Sequence, residues 1–220
     1  MHQSWSAWAE CFLRARWQQG VEQALENLSL ARWHPNGFIV FRLGDVTYQP
    51  DDTTYSGSHR IHIWPAEITR RSVPGHPRIH SHDWELMSLS LTGEYRDVIY
   101  TEESNNAPLL FTHDVKYGGT HGDSITPSGH RIRLARTQFR TVNRGTCHHM
   151  DIGIPHETLV SDLQLVVTYV MMGARQRHGM MLAAEEPFTM TNFHRQFLND
   201  SEQSYAERTL INLLNDQSVA

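Results

Sequence analysis

The sequence predicts an all-β domain, an antiparallel sandwich or barrel flanked by an α-helical segment at each end. Three features support this fold class: helical periodicity near both termini, about ten short apolar runs between the helical segments, and turn residues that separate those runs. The chain has 220 residues, of which 39% are hydrophobic, so it is long enough to bury a sizeable core. We expect one domain over 1–220, with a helical segment at 4–28, a β-barrel at 37–172 and a C-terminal helix at 192–215.

The N-terminal segment has the periodicity of an amphipathic helix. Trp5, Trp8 and Phe12 recur at spacings of three and four residues, with polar residues between them. Gly20 is expected to bend this helix or to divide it into two shorter ones. We expect the aromatic stripe to pack on the outside of the barrel, and a homodimer face is the alternative.

The segment from Gly37 onward consists of short β-like runs separated by glycine, proline, asparagine and aspartate. Such numerous short strands favour a sandwich or a barrel. The predicted strands are Phe38–Leu43, Arg60–Trp64, Ile79–Leu91, Tyr95–Tyr100, Leu109–His113, Arg131–Ala135, Phe139–Val142, Cys147–Ile152, Thr158–Ser161 and Leu163–Met172.

The composition argues against several classes of protein. The net charge of −5 and the dispersed arginines would not neutralise a phosphate backbone, so we expect no nucleic-acid partner. The two cysteines, Cys11 and Cys147, are far apart and form no CxxC pair, which favours a reducing compartment over a disulfide framework. The N-terminal segment lacks the apolar core of a signal peptide, and no apolar run has the length of a membrane span. We therefore expect a cytoplasmic protein with no membrane partner.

Two histidines, His80 and His82, are separated by one residue within the predicted strand Ile79–Leu91. Side chains at positions i and i+2 of a strand point the same way, so both imidazoles converge on one side. Neutral imidazole is the commonest metal ligand. A third ligand is needed from another strand, and Gly145-x2-His148 supplies a candidate, because a turn glycine lets a strand begin with His148 just inside it.

These residues resemble the two-motif signature of the cupin superfamily, in the order Gly75-x4-His80-x-His82, Gly93 and Gly145-x2-His148. The resemblance implies a cupin-like antiparallel jelly-roll barrel. It also implies a divalent metal inside the barrel, bound by His80, His82 and His148. Many cupin enzymes with three histidine ligands are non-haem iron dioxygenases, so the resemblance favours Fe(II), while imidazole also suits zinc and nickel.

The sequence departs from the cupin pattern at the fourth ligand. Most cupins have a glutamate four or five positions after the second histidine, where this chain has Leu86 and Met87. Glu85 is only three positions after His82, so on a regular strand it faces away, unless a bulge redirects it. A three-histidine site without a carboxylate is similar to that of thiol dioxygenases. However, the stretch Leu163–Met172 lacks the histidine of their Ser-His-Tyr relay, so we do not assign the chain to them.

The sequence therefore predicts a metal-dependent enzyme, with an iron(II) oxygenase that uses dioxygen on a small polar or anionic metabolite as the favoured activity. A lyase or isomerase that uses zinc, nickel or manganese as a Lewis acid is the first alternative. A non-enzymatic barrel that binds a small ligand is the second. Glu85, Tyr95 and His156 are the candidate proton-transfer groups, and His156 is expected in a loop near the barrel mouth.

Three further residues are candidates for substrate binding. Trp84 shares the face of His80 and His82 if the strand stays regular, so it would line the pocket. Arg60 and Arg96 are candidates to hold an anionic substrate, because guanidinium groups pair with carboxylate and phosphate.

Overall fold

The structure is a computed structural model that describes residues 4–49, 54–103, 105–117, 122–176 and 181–216. Its helices and strands are, in chain order, α1 (Trp5–Glu26), a 3-10 turn (Leu28–Leu30), β1 (Arg32–Trp33), β2 (Ile39–Tyr48), β3 (Tyr55–Trp64), β4 (Ile79–His80), β5 (Leu86–Thr92), β6 (Tyr95–Glu102), β7 (Leu109–Lys116), β8 (Asp123–Val142), β9 (Cys147–Met150), β10 (His156–Leu159), β11 (Val166–Gly173), β12 (Met181–Ala184), β13 (Met190–Phe193) and α2 (Asp200–Asn215).

The strands form two antiparallel sheets. The strand order is β1-β2-β3-β11-β5-β9 in the first sheet and β13-β8-β6-β10-β4-β12-β7 in the second, where β8 also pairs with β7. Neighbouring strands are often distant in sequence, as in jelly rolls, where long connections pass between two sheets. This arrangement, with its two flanking helices, confirms the predicted cupin-like jelly-roll fold class.

The first sheet carries different side chains on its two faces, because consecutive strand residues point to opposite sides. Phe41, Ile61 and Tyr169 are fully buried in one cluster with residues of α1 and α2. Each such side chain contributes roughly 1.5–3 kcal/mol through burial. The alternating residues Arg60 and Val170 line the space between the sheets instead. The sheet therefore separates an apolar core under the helices from a mixed, polar cavity.

Helix α1 continues without a break through Gly20, where the sequence predicted a bend or a division. The side-chain hydroxyl of Ser4 accepts a hydrogen bond from the backbone N–H of Ala7 and caps the helix. A Cβ atom at Gly20 would lie 2.9 Å from two ring carbons of Tyr169, closer than packed atoms allow. The Tyr169 hydroxyl is itself 2.8 Å from His59 Nδ1, which fixes the ring. Glycine here lets α1 approach the sheet closely.

Replacing Gly20 with alanine is expected to lower the free energy of unfolding by about 1–3 kcal/mol, the cost of overpacking a buried contact. This loss exceeds the gain of up to about 1 kcal/mol that alanine gives over glycine in a helix interior. Chemical denaturation measures the difference. Gln18→Ala, at an exposed position of the same helix, is the control and should change stability by less than about 0.5 kcal/mol. A Gly20→Ala variant as stable as the wild type would contradict the close contact.

The predicted strand Ile79–Leu91 is divided in two, because its halves belong to different sheets. His80, in β4, pairs with strands of the second sheet. Strand β5 pairs with β11 and β9 of the first sheet. The intervening residues, 81–85, cross from one sheet to the other, and the backbone N–H of Ser81 still donates to the carbonyl oxygen of Met181. His82 therefore lies in this crossing segment and not on a regular strand.

Strand β8 and the C-terminal helix also differ from the prediction. The two predicted strands Arg131–Ala135 and Phe139–Val142 are parts of the single long strand β8, which pairs with β6 along one half and with β7 along the other. Helix α2 begins at Asp200, because Asn199 and Glu202 form a capping box there. Among the described residues, no helix combines the length and apolar character needed to cross a membrane.

Candidate metal centre

Three histidines converge on the inner side of the barrel: His80, His82 and His156. One imidazole nitrogen of each lies within 4.8 Å of the other two. The ring centroid of His80 is 4.8 Å from that of His82 and 4.4 Å from that of His156. The centroids of His82 and His156 are 5.1 Å apart. We refer to these three residues as the histidine centre.

Strand pairing brings His80 and His156 together. His156 is the first residue of β10 and lies opposite His80 of β4 in the register of the second sheet. On its other side, His156 pairs with Ile99 of β6. The sequence predicted a loop position for His156 after Pro155, but the residue begins a strand in the middle of the sheet. Its position follows from pairing between distant segments, which no local motif reveals.

Backbone carbonyl groups fix the tautomer of two of the three imidazoles. His80 Nδ1 lies 2.8 Å from the carbonyl oxygen of Arg78, and His156 Nδ1 lies 3.0 Å from that of Ile154. Because a carbonyl oxygen only accepts, each Nδ1 carries the proton and each Nε2 keeps a lone pair. His82 Nδ1 is buried, and no described residue forms a hydrogen bond with it. Carbonyl acceptors of this kind commonly orient metal-binding histidines.

The surroundings keep all three imidazoles neutral near pH 7. Burial, followed by repulsion from His156, lowers the pKa of His80 to about 3. Burial and the neighbouring His80 hold the pKa of His82 well below its ordinary value. Burial also lowers the pKa of His156, although Asp97 opposes this shift. The neutral ring is the form that binds metals, so no proton has to leave first.

The donor set fits a divalent cation. Imidazole nitrogens bind such ions at about 2.0–2.1 Å, and small ring rotations would bring nitrogens within 4.8 Å of one another onto one ion. Three protein ligands leave coordination positions open, which is typical of catalytic rather than structural zinc sites. Because imidazole suits iron, copper, nickel and zinc alike, the donor set alone does not select the metal.

His148, which the sequence predicts as the third ligand, is not part of the histidine centre. Strand β9 pairs with β5 in the first sheet, where His148 lies opposite Ser88, whereas β4 and β10 belong to the second sheet. His148 does face the cavity, and its Nε2 lies 2.9 Å from Asp97 Oδ2. The structure thus exchanges two predicted positions: His156 joins His80 and His82, and His148 contacts a buried carboxylate.

Asp97 is a buried acid on the cavity wall that is not among the predicted proton-transfer groups. The hydroxyl of Thr158 donates to Asp97 Oδ1 at 2.6 Å. Burial raises the pKa of Asp97, but contact with His148 and the proximity of His156 outweigh it, so the net pKa is lowered. Asp97 is therefore a carboxylate near pH 7, in contact with the His148 imidazole. Its alternation with Tyr95 along the predicted strand was the available clue.

Glu85 is the last residue of the crossing segment 81–85, and it does not line the cavity that holds the histidine centre. Its neighbours Trp84 and Leu86 line the cavity, so Glu85 points outward, as the regular-strand argument expected. Glu85 Oε1 is 3.4 Å from His149 Nε2. With Asp151 these two residues form the second group of potential ligands in the described part of the chain.

The remaining predicted site residues all border the cavity. Trp84 is buried, and its ring stacks on that of His82 at 5.1 Å between centroids. Tyr95 is buried, and its hydroxyl donates to the Ser88 hydroxyl at 3.3 Å. Burial, followed by the charge of Asp97, raises the pKa of Tyr95, so the phenol stays protonated. Arg60 and Arg96 line the same cavity, Arg60 half-buried and Arg96 exposed.

The cavity between the sheets has a volume of about 1580 Å³. This exceeds the roughly 300–1,000 Å³ of common small-molecule sites. Among the described residues, eight arginines and five acidic residues line it, so its net charge is positive. Eight of the chain's 15 histidines also line it. The cavity can therefore admit a small molecule and favours an anionic one.

Comparisons with known proteins give no functional assignment. No family model matches the chain, and no curated protein matches it. A solved structure of a cupin-like protein from Thermotoga maritima MSB8 is similar at 10% identity, over 80% of this chain and 91% of that one, with a TM-score of 0.33. Procruciferin, an 11S globulin from Brassica napus, is similar at 10% identity, over 86% of this chain and 46% of that one, with a TM-score of 0.37. The cupin-like fold assignment rests on the strand pairing itself.

Proposed function

We propose that the protein is a metal-dependent enzyme in which the histidine centre holds a divalent metal, with an iron(II) oxygenase of a small anionic molecule as the favoured activity. The observation that carries the proposal is the convergence of three neutral imidazoles inside a cavity large enough for a substrate. His80, His82 and His156 would hold the metal, which would supply dioxygen activation beside the substrate. The preference for iron comes from the resemblance to three-histidine cupin dioxygenases.

The chain's own residues have separate tasks in this proposal. Trp84 stacks on His82, so it holds that ring in place and limits access of water to one side of the histidine centre. Tyr95, protonated and buried, offers a hydroxyl group on the cavity wall. Asp97 and His148 form a carboxylate–imidazole pair that can accept a proton from a bound substrate. This pair is a better placed proton acceptor than Glu85, which points out of the cavity.

The same pair supports a second candidate function, a lyase or isomerase. Such reactions need a proton acceptor near a Lewis acid. His148 and Asp97 line the same cavity as the histidine centre. Zinc, nickel or manganese would serve there as the Lewis acid. Dependence on dioxygen distinguishes the two candidates.

Dioxygen consumption tests the favoured function. Protein purified anaerobically and loaded with iron(II) is mixed with a panel of small carboxylates and phosphates, and oxygen uptake is followed with an electrode. We expect uptake above background with iron and none with zinc. The His82→Ala variant should lose it, and His130→Ala, which changes an exposed histidine outside the cavity, should keep it. Substrate turnover by zinc-loaded protein without oxygen would instead support the lyase or isomerase.

A further inference from the structure

The side chain of Arg60 lines the cavity, and no described residue forms a hydrogen bond or an ion pair with it. Its Nε atom is buried and lacks a hydrogen-bond partner among the described residues. In the described part of the chain, no carboxylate oxygen lies within 4.0 Å of its guanidinium group, although other cavity arginines have such neighbours. Removing a cation from water without a compensating partner costs free energy. An anion that binds beside this unpaired guanidinium would therefore gain more binding free energy than one beside an arginine that already has an acidic neighbour.

The neighbours of Arg60 increase the positive potential. Arg42 lies opposite Arg60 in the pairing of β2 with β3. Burial, followed by the charges of Arg195 and Arg42, lowers the pKa of Arg60 to about 10, so it remains a cation at neutral pH. Three nearby cavity arginines each have an acidic neighbour: Arg42 is 3.5 Å from Asp45, Arg175 is 4.0 Å from Asp83, and Arg195 is 3.4 Å from Asp123. The positive charge of Arg60 is therefore the one that no nearby carboxylate of the described residues balances.

We propose that Arg60, with Arg195 on the wall of the same cavity, forms an oxyanion subsite that binds a carboxylate or phosphate group of the substrate. The planar guanidinium group presents parallel N–H donors that match two oxygens of either group. His62, two residues along the same strand face, also lines the cavity and is kept neutral by burial and by Arg60. The neutral His62 ring can add a hydrogen bond to the bound anion, and it does not repel the positive charge of Arg60.

Trp84 contacts both the histidine centre and a further cavity arginine, Arg175. Its ring centroid is 5.1 Å from that of His82, and the Arg175 guanidinium carbon is 5.2 Å from the Trp84 ring centroid. Arg175 is among the charges that act on Arg60. The substrate class is therefore a small molecule with an oxyanion that Arg60 holds and a separate reacting group that lies at the histidine centre. This last step rests on the proposed function, whereas the oxyanion subsite does not.

Isothermal titration of the full-length protein with two probes, inorganic phosphate and succinate, tests the subsite. We expect at least one probe to bind the wild type, and the better probe to identify phosphate or carboxylate as the preferred group. Arg60→Gln should weaken its binding by about tenfold or more, because a charged hydrogen-bonding group is lost. Arg60→Lys should lose less, since it keeps the charge. Arg208→Gln, exposed on α2 and outside the cavity, should bind like the wild type.

Metal content and the His156→Ala variant separate this proposal from the proposed function. Arg60→Gln should keep the metal content of the wild type, and His156→Ala should keep the binding of the anion. Anion binding that survives in Arg60→Gln but disappears in His156→Ala would overturn the subsite, because the anion would then bind through the metal. Absence of binding to the wild type at millimolar concentrations would also overturn it. If Arg60→Gln does not fold, as judged by circular dichroism, Arg195→Gln takes its place, with a smaller expected weakening because Arg195 is already paired with Asp123.

Discussion

Replacing His156 with alanine is expected to remove most of the divalent metal from the protein, whereas replacing His148 is expected to leave it bound. His156 contributes one of the three converging nitrogens, and His148 contacts Asp97 instead. Loss of a residue that merely orients a ligand costs 10–100-fold in affinity, so loss of a ligand itself should cost about 100-fold or more. Competition with a chromophoric chelator measures the affinity, and elemental analysis measures the content.

The two histidines make a matched pair for this experiment. Both are buried, both line the same cavity, and both substitutions remove one imidazole. A general loss of structure would therefore affect the two variants alike, and unfolding curves detect it. Metal lost from His148→Ala but kept by His156→Ala would contradict the structure and restore the ligand set that the sequence predicted.

Replacing Arg70 with methionine is expected to lower the free energy of unfolding by about 2–4 kcal/mol. Methionine keeps much of the alkyl chain but removes the guanidinium group. That group is mostly buried, with a side-chain exposure of 13%. It donates one hydrogen bond to the carbonyl oxygen of Pro65, within the segment after β3. Four more join this segment to the loop between β10 and β11, namely to the carbonyl oxygens of Val160, Ser161 and Gln164 and to the carboxylate of Asp162.

Chemical denaturation of Arg70→Met checks this expectation, with Arg208→Met as the control. Arg208 is exposed on α2 and has no ion pair among the described residues, so its replacement should change stability by less than about 0.5 kcal/mol. Equal midpoints for Arg70→Met and the wild type would mean that water replaces the guanidinium group without loss. The loop between β10 and β11 would then be held by other contacts.

The fold class was predictable from sequence because it depends on local patterns. Short apolar runs and turn residues indicated the strands, and the aromatic periodicity from Trp5 onward indicated α1. The length of β8 and the division of the strand around His80 were not predictable in this way. Both depend on which distant strands pair, and a continuous apolar run does not reveal that it crosses between two sheets.

The same distinction explains the candidate site. His80 and His82 could be found because their spacing is a local property, and Gly145 has the positive φ of a turn glycine, as expected before His148. The third member of the centre depends on β10 pairing with β4, which brings His156 beside His80 across more than half of the barrel sequence. A motif that places His148 close in sequence to a turn cannot tell which sheet its strand will join.

The most direct measurement is a crystal structure of the anaerobically purified protein, with anomalous diffraction recorded at the absorption edge of the bound metal. We predict one anomalous peak within about 2.0–2.3 Å of a nitrogen of each of His80, His82 and His156. A peak held by His148 in place of His156, or one only at Glu85 and His149, would contradict it. The absence of any peak in a metal-loaded crystal would contradict the metal centre altogether.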